Sequence, residues 1–294
     1  MPNSIVVKLG ASVLDGARSA SSILDILASY EGKLVVVVSA FRGVADSLAA
    51  ARERLPLPAK EAAALLARLA RLHEGFLAAL DPPAEADRAA RAALAGLLPE
   101  LRVLLEGAGG ADRMARIASF GDRLAAPCVA AALAAVGRRA EVLEPGRVGL
   151  VAEGPWEEAV ADLEASAYQV GKALGCRDAA VVPGSFGVGS DGLVRLFGRR
   201  GSDYSAVALA LCLGARCGEP AQDPRDRLAA DPSLVPEARR PRGLSHREAA
   251  RLARGGARIL QPRAARAAFL GAAPAHSAPR EPILEAVEGA HGRA

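Results

Sequence analysis

The chain has 294 residues, 51% hydrophobic and only 3% aromatic, with a formal net charge of +4. Ala, Leu and Val dominate, which favours helices packed on a buried parallel sheet and argues against an all-β sandwich. The positive charge is almost all arginine, with lysine only at Lys8, Lys33, Lys60 and Lys172, and no basic stretch is interleaved with aromatics, so no nucleic-acid partner is expected.

The elements read in chain order as follows. Ile5 to Val7 is a short apolar strand that runs into Lys8-Leu9-Gly10-Ala11-Ser12, a tight glycine turn. A helix is predicted from Ser19 to Ser29, then a β-branched strand from Leu34 to Val38, apolar on both faces. Strand, helix and strand in that order make a βαβ unit and imply a parallel sheet. Lys60 to Glu106 is rich in Ala, Leu, Arg and Glu and is broken once at Asp81-Pro82-Pro83, the pattern of a helical hairpin. A further helix runs from Arg113 to Ala135. Strands follow at Glu141 to Leu143 and at Ala179 to Pro183, with Leu193 to Leu196 read as the hairpin partner of the latter. Tyr204 to Leu213 is helical, and the tail after Leu270 is rich in Ala, Pro and Gly.

Cys128, Cys176, Cys212 and Cys217 form no CxxC pair, and His73, His246, His276 and His291 are scattered. This argues against a zinc site and against a disulfide framework. No uninterrupted apolar run reaches the ~18 residues of a membrane helix, and the N-terminus lacks a signal pattern. The expectation is a cytoplasmic protein with no membrane partner.

Three segments carry chemistry. Gly10, at the carboxyl end of a strand where ligands of open α/β sheets bind, lets backbone approach a phosphate, and Lys8 adds a mobile point charge. The N–H groups that follow and a helix N-terminus would favour anions, although the same residues also fit a plain surface turn. Gly198-Arg199-Arg200-Gly201-Ser202-Asp203 lies between a strand and a helix. There Arg199 can grip a carboxylate with two prongs, and Asp203 can orient Lys8. Ser202 or Asp203 can equally be a simple helix cap. Phe120-Gly121-Asp122-Arg123-Leu124 is placed in an early helical turn, where Asp122 either receives a substrate ammonium or sits on the exposed face.

Together these segments resemble the catalytic domain of aspartate kinase, within the amino-acid kinase superfamily, from about residue 4 to about residue 268. Val6-Val7-Lys8-Leu9-Gly10-Ala11-Ser12-Val13 resembles the family's phosphate loop, one residue shorter. Val36 to Asp46, Ser119 to Leu124, Val181 to Gly184, Gly201 to Ala206, Ala230 to Pro232 and Gly256 to Pro262 resemble family segments in the same order.

The resemblance implies an α/β fold, a three-layer αβα sandwich around a mainly parallel sheet, with a helical insert at about 58–112 in a domain of residues 1–270, followed by a tail at 271–294. It implies an ATP- and Mg²⁺-dependent kinase that makes an acyl phosphate on aspartate or a related small amino acid, in a homodimer. Lys8 and Asp203 would be catalytic. Lys8, Gly10, Ser12, Asp223 and Arg258 would bind nucleotide, and Ser39, Asp122, Arg199 and Ser202 would bind the acid. No protein-held metal is expected.

The departures from the family pattern cluster at the site. Ala45 stands for a threonine, Asp122 for a glutamate about 1.5 Å longer, Ser185 for an aromatic, Arg200 for a glycine, and Arg258 for a lysine. Residues 222–229 keep only Asp223 in register. The alternative reading is therefore a relative with a changed substrate or no turnover, acting as a binding or regulatory subunit. The C-terminal regulatory domains usual in the family are not expected in the roughly thirty residues after the kinase-like segment.

Overall fold

A computed structural model describes residues 4–218. Its centre is a five-stranded sheet in the order β3-β6-β2-β1-β9, formed by β1 (Ser4–Leu9), β2 (Lys33–Val38), β3 (Glu141–Val142), β6 (Ala179–Pro183) and β9 (Arg216–Gly218), and every pairing within it is parallel. Two small antiparallel pairs lie apart from it. One joins β4 (Ala152–Glu153) to β5 (Val160–Ala161), the other β7 (Phe186–Val188) to β8 (Val194–Leu196). The strand at Leu193 to Leu196 is thus real, but its partner is β7 and not β6. β6 is already flanked on both sides by parallel neighbours, so it has no edge to offer.

The apolar-on-both-faces pattern of the central strands has a direct cause. Val7, Leu9, Leu34, Val36, Val38 and Val181 belong to one core cluster, whereas Val6, Val35, Val37, Ala180 and Val182 belong to another. Alternation along each strand sends successive side chains to opposite faces. The first face is covered by α1 (Ala20–Ala28), α2 (Val44–Arg52), α3 (Ala59–Leu80), α4 (Ala84–Glu106) and α5 (Ala111–Ala135). The second is covered by α6 (Pro145–Val148), α7 (Leu163–Leu174) and α8 (Gly201–Leu213). This is the expected three-layer α/β/α sandwich.

The break between α3 and α4 follows the residues. Asp81 closes α3 in the left-handed region at φ 48°, which Asp tolerates better than most side chains, and Pro82-Pro83 cannot continue a helix. α5 is long and apolar enough to cross a membrane, but 78% of that apolar stretch is buried inside the protein, as in a core helix. α8 is buried on nearly all sides, including Ser202, Asp203 and Ser205 in its opening turns.

Candidate active site

The registers of the central strands bring three chain segments level. Leu9 pairs with Val38 and Val38 with Pro183, so Gly10, Ser39 and Gly184 leave neighbouring strands at the same height, at the carboxyl edge of the sheet. Ligands of open parallel sheets bind at this edge. The N-terminus of α8 joins them, because Lys8 lies on the Val6 face, and that is the face α8 packs against.

Lys8 is 8% exposed and Asp203 is 2% exposed. The Lys8 Nζ lies 2.8 Å from Asp203 Oδ1, and Arg200 Nε lies 2.8 Å from Asp203 Oδ2. Both are charge contacts by distance rather than aligned hydrogen bonds. The carboxylate also sits in the first turn of α8, where the helix dipole favours a negative charge. Neither Ser202 nor Asp203 is the cap of this helix. The cap position falls on Arg200, because α8 starts at Gly201 and both residues lie inside its first turn.

Ser39 and Ser202 meet through a 2.6 Å hydrogen bond between their hydroxyls. Two glycines permit that approach. A Cβ on Gly184 would sit 2.9 Å from the Ser202 Cα and 3.0 Å from the Val38 carbonyl oxygen, and one on Gly201 would sit 2.8 Å from the Ser185 carbonyl oxygen. Ser185 and Arg200, on either side of this junction, hold φ values of 59° and 58°. Side chains in that region cost about 1–3 kcal/mol each.

Asp122 stands in the middle of α5, not in an early turn, and it is buried, not exposed. α5 reaches the site edge-on: a Cβ on Gly121 would lie 2.7 Å from the Ala40 Cβ. Burial pushes the Asp122 carboxyl up to about 7, against opposing pulls from the Ser185 side chain, the Ala40 backbone N–H and the nearby Lys8 charge. Its Oδ2 is buried without a hydrogen-bond partner. Such an atom is costly unless a donor arrives, and a substrate ammonium is a donor of the right sign.

At the end of β1 the N–H groups of Val13 and Leu14 turn back to the Gly10 carbonyl at 3.0 and 3.1 Å. Among the described residues, those of Gly10, Ala11 and Ser12 have no acceptor. Successive unpaired backbone donors beside a lysine make an anion-binding turn. The anticipated helix N-terminus is not adjacent: a 3-10 turn, Gly16–Ser19, intervenes before α1. Arg42 fastens the turn from outside, donating to the Ser12 carbonyl at 3.3 Å and lying 3.4 Å from Asp15.

Lys8, Gly10, Ser12, Ser39, Asp122, Ser202 and Asp203 therefore gather at one edge of the sheet. Arg199 is exposed in the turn that precedes α8. Asp223 and Arg258 lie outside the described residues. Sequence reasoning placed Arg200 and Ser185 at the site only as departures from the family pattern, with no role, and did not place Arg42 there. The first had a signal, since Arg200 and Asp203 are spaced i, i+3 at a helix start. The Ser185 contact with Asp122 had none, because it joins distant segments. Among the described residues no group of three or more His, Cys, Asp or Glu side chains is placed to hold a metal.

A model of the amino acid kinase family matches residues 3–276. The chain is 36% identical over 171 residues to a bifunctional aspartokinase/homoserine dehydrogenase of Haemophilus influenzae, a match covering 57% of this chain and 20% of that protein. It is 31% identical over 148 residues to an aspartokinase of Thermus thermophilus, covering 50% of this chain and 36% of that protein. The fold is shared with Escherichia coli aspartokinase III in complex with aspartate and ADP, with a TM-score of 0.77 and 24% identity over 91% of this chain and 59% of that one. These matches span less than two thirds of each relative's length.

Proposed function

Since the chain belongs to the amino acid kinase family, we propose that it transfers the γ-phosphoryl group of ATP to the carboxylate of aspartate or a related small amino acid, giving an acyl phosphate. The observation that carries this reading is the buried Lys8–Asp203 pair beside a turn of unpaired backbone donors, with the orphaned Asp122 carboxylate oxygen on the opposite side.

In this reading the N–H groups of Gly10, Ala11 and Ser12 hold phosphate oxygens, and Lys8 stabilises the charge on the group in transfer. Asp203 keeps the ammonium of Lys8 aimed at that group and takes no proton. Asp122 receives the acceptor's amino group, Arg199 grips its α-carboxylate, and the linked Ser39 and Ser202 hydroxyls line the pocket between them. The acceptor's reacting carboxylate attacks phosphorus directly, so no covalent enzyme intermediate is required. The described residues fit a Mg²⁺ ion that arrives on the nucleotide phosphates better than one in a protein cage, and there it would neutralise phosphate charge. Asp223 and Arg258 are assigned to the nucleotide on the resemblance alone. A cytoplasmic setting and a homodimer belong to the same proposal, on the same footing.

The test is chemical trapping. Purified protein with Mg-ATP, aspartate and hydroxylamine is expected to accumulate a hydroxamate, and Lys8→Ala to lose it. Failure to form product with any of a panel of small amino acids and related acids would overturn the reading.

A further inference from the structure

We propose that Ser185 is a positioning residue for the acceptor: it stands at the centre of a strained turn that aims its hydroxyl at Asp122 and holds that carboxyl with Oδ2 open to the acceptor's amino group. The proposal rests on the reading of this edge of the sheet as a phosphoryl-transfer site for an amino acid.

The backbone comes first. The Phe186 N–H donates to the Gly184 carbonyl oxygen at 2.8 Å, an i to i+2 bond that makes Ser185 the middle residue of a γ-turn. With φ at 59° this is the rare, strained form of that turn, in a region that side chains disfavour. Its neighbours leave it no room to relax. The Phe197 N–H donates to the Ser185 carbonyl oxygen at 2.8 Å, and the Gly184 N–H donates to the Val38 carbonyl oxygen at 2.9 Å. Gly201 packs so closely that a Cβ there would lie 2.9 Å from the Ser185 Cα. Glycine would hold this turn at lower cost. A side chain kept in a sparsely populated conformation and fixed there from several sides is the kind of strain that clusters at functional sites.

What the hydroxyl meets comes second. Asp122 arrives from the middle of α5, a distant segment, and is 5% exposed. The Ser185 side chain and the Ala40 backbone N–H both hydrogen-bond its carboxyl, and both favour the charged form against burial. Neither pairs Oδ2, which is buried without a hydrogen-bond partner. The carboxyl is thus held by two fixed groups while one oxygen is left for an incoming donor. By favouring the carboxylate, the hydroxyl also keeps more of it in the state that an ammonium needs. The charge that acts on Asp122 is that of Lys8 on β1. Lys8 and its partners are the same in every variant below, so their effect cancels in the comparison.

The experiment follows Asp122 itself. The full chain, labelled with carbon-13 at its aspartate carboxyls, is titrated by NMR as wild type, Ser185→Gly and Ser185→Ala, and the Asp122 resonance is identified by its loss in Asp122→Asn. Aspartate binding at pH 7 and pH 9 and thermal unfolding are measured in parallel. Both Ser185 variants are expected to titrate Asp122 at higher pH, by on the order of one pH unit, and to bind aspartate about fivefold more weakly at pH 7. By pH 9 the carboxyl is largely charged in all three chains, and the difference should fade. Ser185→Gly should unfold at about the wild-type temperature, because relief of the positive φ offsets the lost hydrogen bond. An Asp122 titration that both variants leave in place would overturn the proposal and leave the kinase reading intact. So would a loss of affinity as large at pH 9 as at pH 7, or a titration shift confined to one variant, since either points to a structural role. If aspartate lowers the wild-type Asp122 titration and both variants raise it, but no acid yields a hydroxamate, the proposal stands and the kinase reading falls. A wild-type titration that neither aspartate nor glutamate lowers overturns the proposal, and if the hydroxamate is absent too, the kinase reading falls with it.

Discussion

Gly184 lies so close to Ser202 that a Cβ added to the glycine would sit 2.5 Å from the Ser202 Cβ. The contact sets the distance between the end of β6 and the first turn of α8. It thereby sets where Asp203 meets Lys8. Gly184→Ala should push α8 away, break the Ser39–Ser202 hydrogen bond and lower kcat/KM at least tenfold, with a stability loss of about 1–3 kcal/mol. Gly171→Ala, in α7 with open space around it, is the control and should stabilise by up to about 1 kcal/mol. Equal effects of the two in denaturant titrations would contradict this account.

Lys8→Met keeps most of the side chain's volume and removes its charge. The loss of phosphoryl-transfer rate should be on the order of a hundredfold or more, as for deletion of a preorganised charge at a reacting centre. The fold should survive, because Asp203 keeps its contact with Arg200. Asp203→Ala should be the more destabilising change, by about 3–5 kcal/mol, since it brings two cations together without the carboxylate between them. Single-turnover rates and urea midpoints of the two variants check the order.

The raised carboxyl of Asp122 has a pH signature. Its pKa in the folded chain is about 7 against an ordinary value of 3.8, so between those values the folded chain holds a proton that the unfolded chain has released. Stability attributable to this residue therefore falls as pH rises from about 4 to 7, in total by on the order of 4 kcal/mol. Asp122→Asn should remove that slope and be more stable than the wild type at pH 8. An acceptor ammonium would draw the carboxyl back to its charged form, so amino-acid binding near pH 7 should release a proton. Calorimetry in buffers of different ionisation enthalpy measures that proton directly, and a heat independent of buffer would count against the assignment.

His73 works in the opposite sense. It is fully buried in α3, with Nδ1 2.7 Å from the Leu69 carbonyl oxygen and Nε2 unpaired. Burial lowers its pKa from 6.5 to about 4. The unfolded chain takes up this proton first as pH falls, so the stability is present above about 6.5 and lost between 6.5 and 4, on the order of 3 kcal/mol in all. His73→Phe should flatten that limb in urea titrations between pH 4 and 7. The ring meets Phe41 edge-on at 4.9 Å, and Phe41 directly follows the Ser39-Ala40 segment, so loss of packing here should also weaken acceptor binding.

The sequence was legible wherever a local pattern carried the physics. A β-branched run such as Leu34 to Val38 can only be a strand buried on both faces, and Pro82-Pro83 must end a helix. The β7 strand and α7 were missed, and Leu193 to Leu196 was given the wrong partner, because the short hairpin is stabilised by its neighbours rather than by its own residues. Asp122 is the same lesson at the site: nothing in Phe120-Gly121-Asp122 states which side of α5 is buried. That was decided by Ala40, which the Gly121 backbone can approach closely.

By itself, then, the sequence determined a buried parallel sheet with helices packed on it and its longer strands and helices, together with the residue types of the centre: Lys8 and Gly10 after one strand, Ser202 and Asp203 at one helix start. These follow from periodicity, β-branching, and glycine and proline placement, all of which act over a few residues, whereas the three-layer sandwich was implied by the family resemblance. Only the tertiary structure decided that Asp203 is shared between Lys8 and Arg200, and that Asp122 is buried with one oxygen unpaired. Charge sharing and desolvation depend on which distant segments meet at a distance of a few ångströms, and that is set by strand register and helix packing, not by neighbours in the chain.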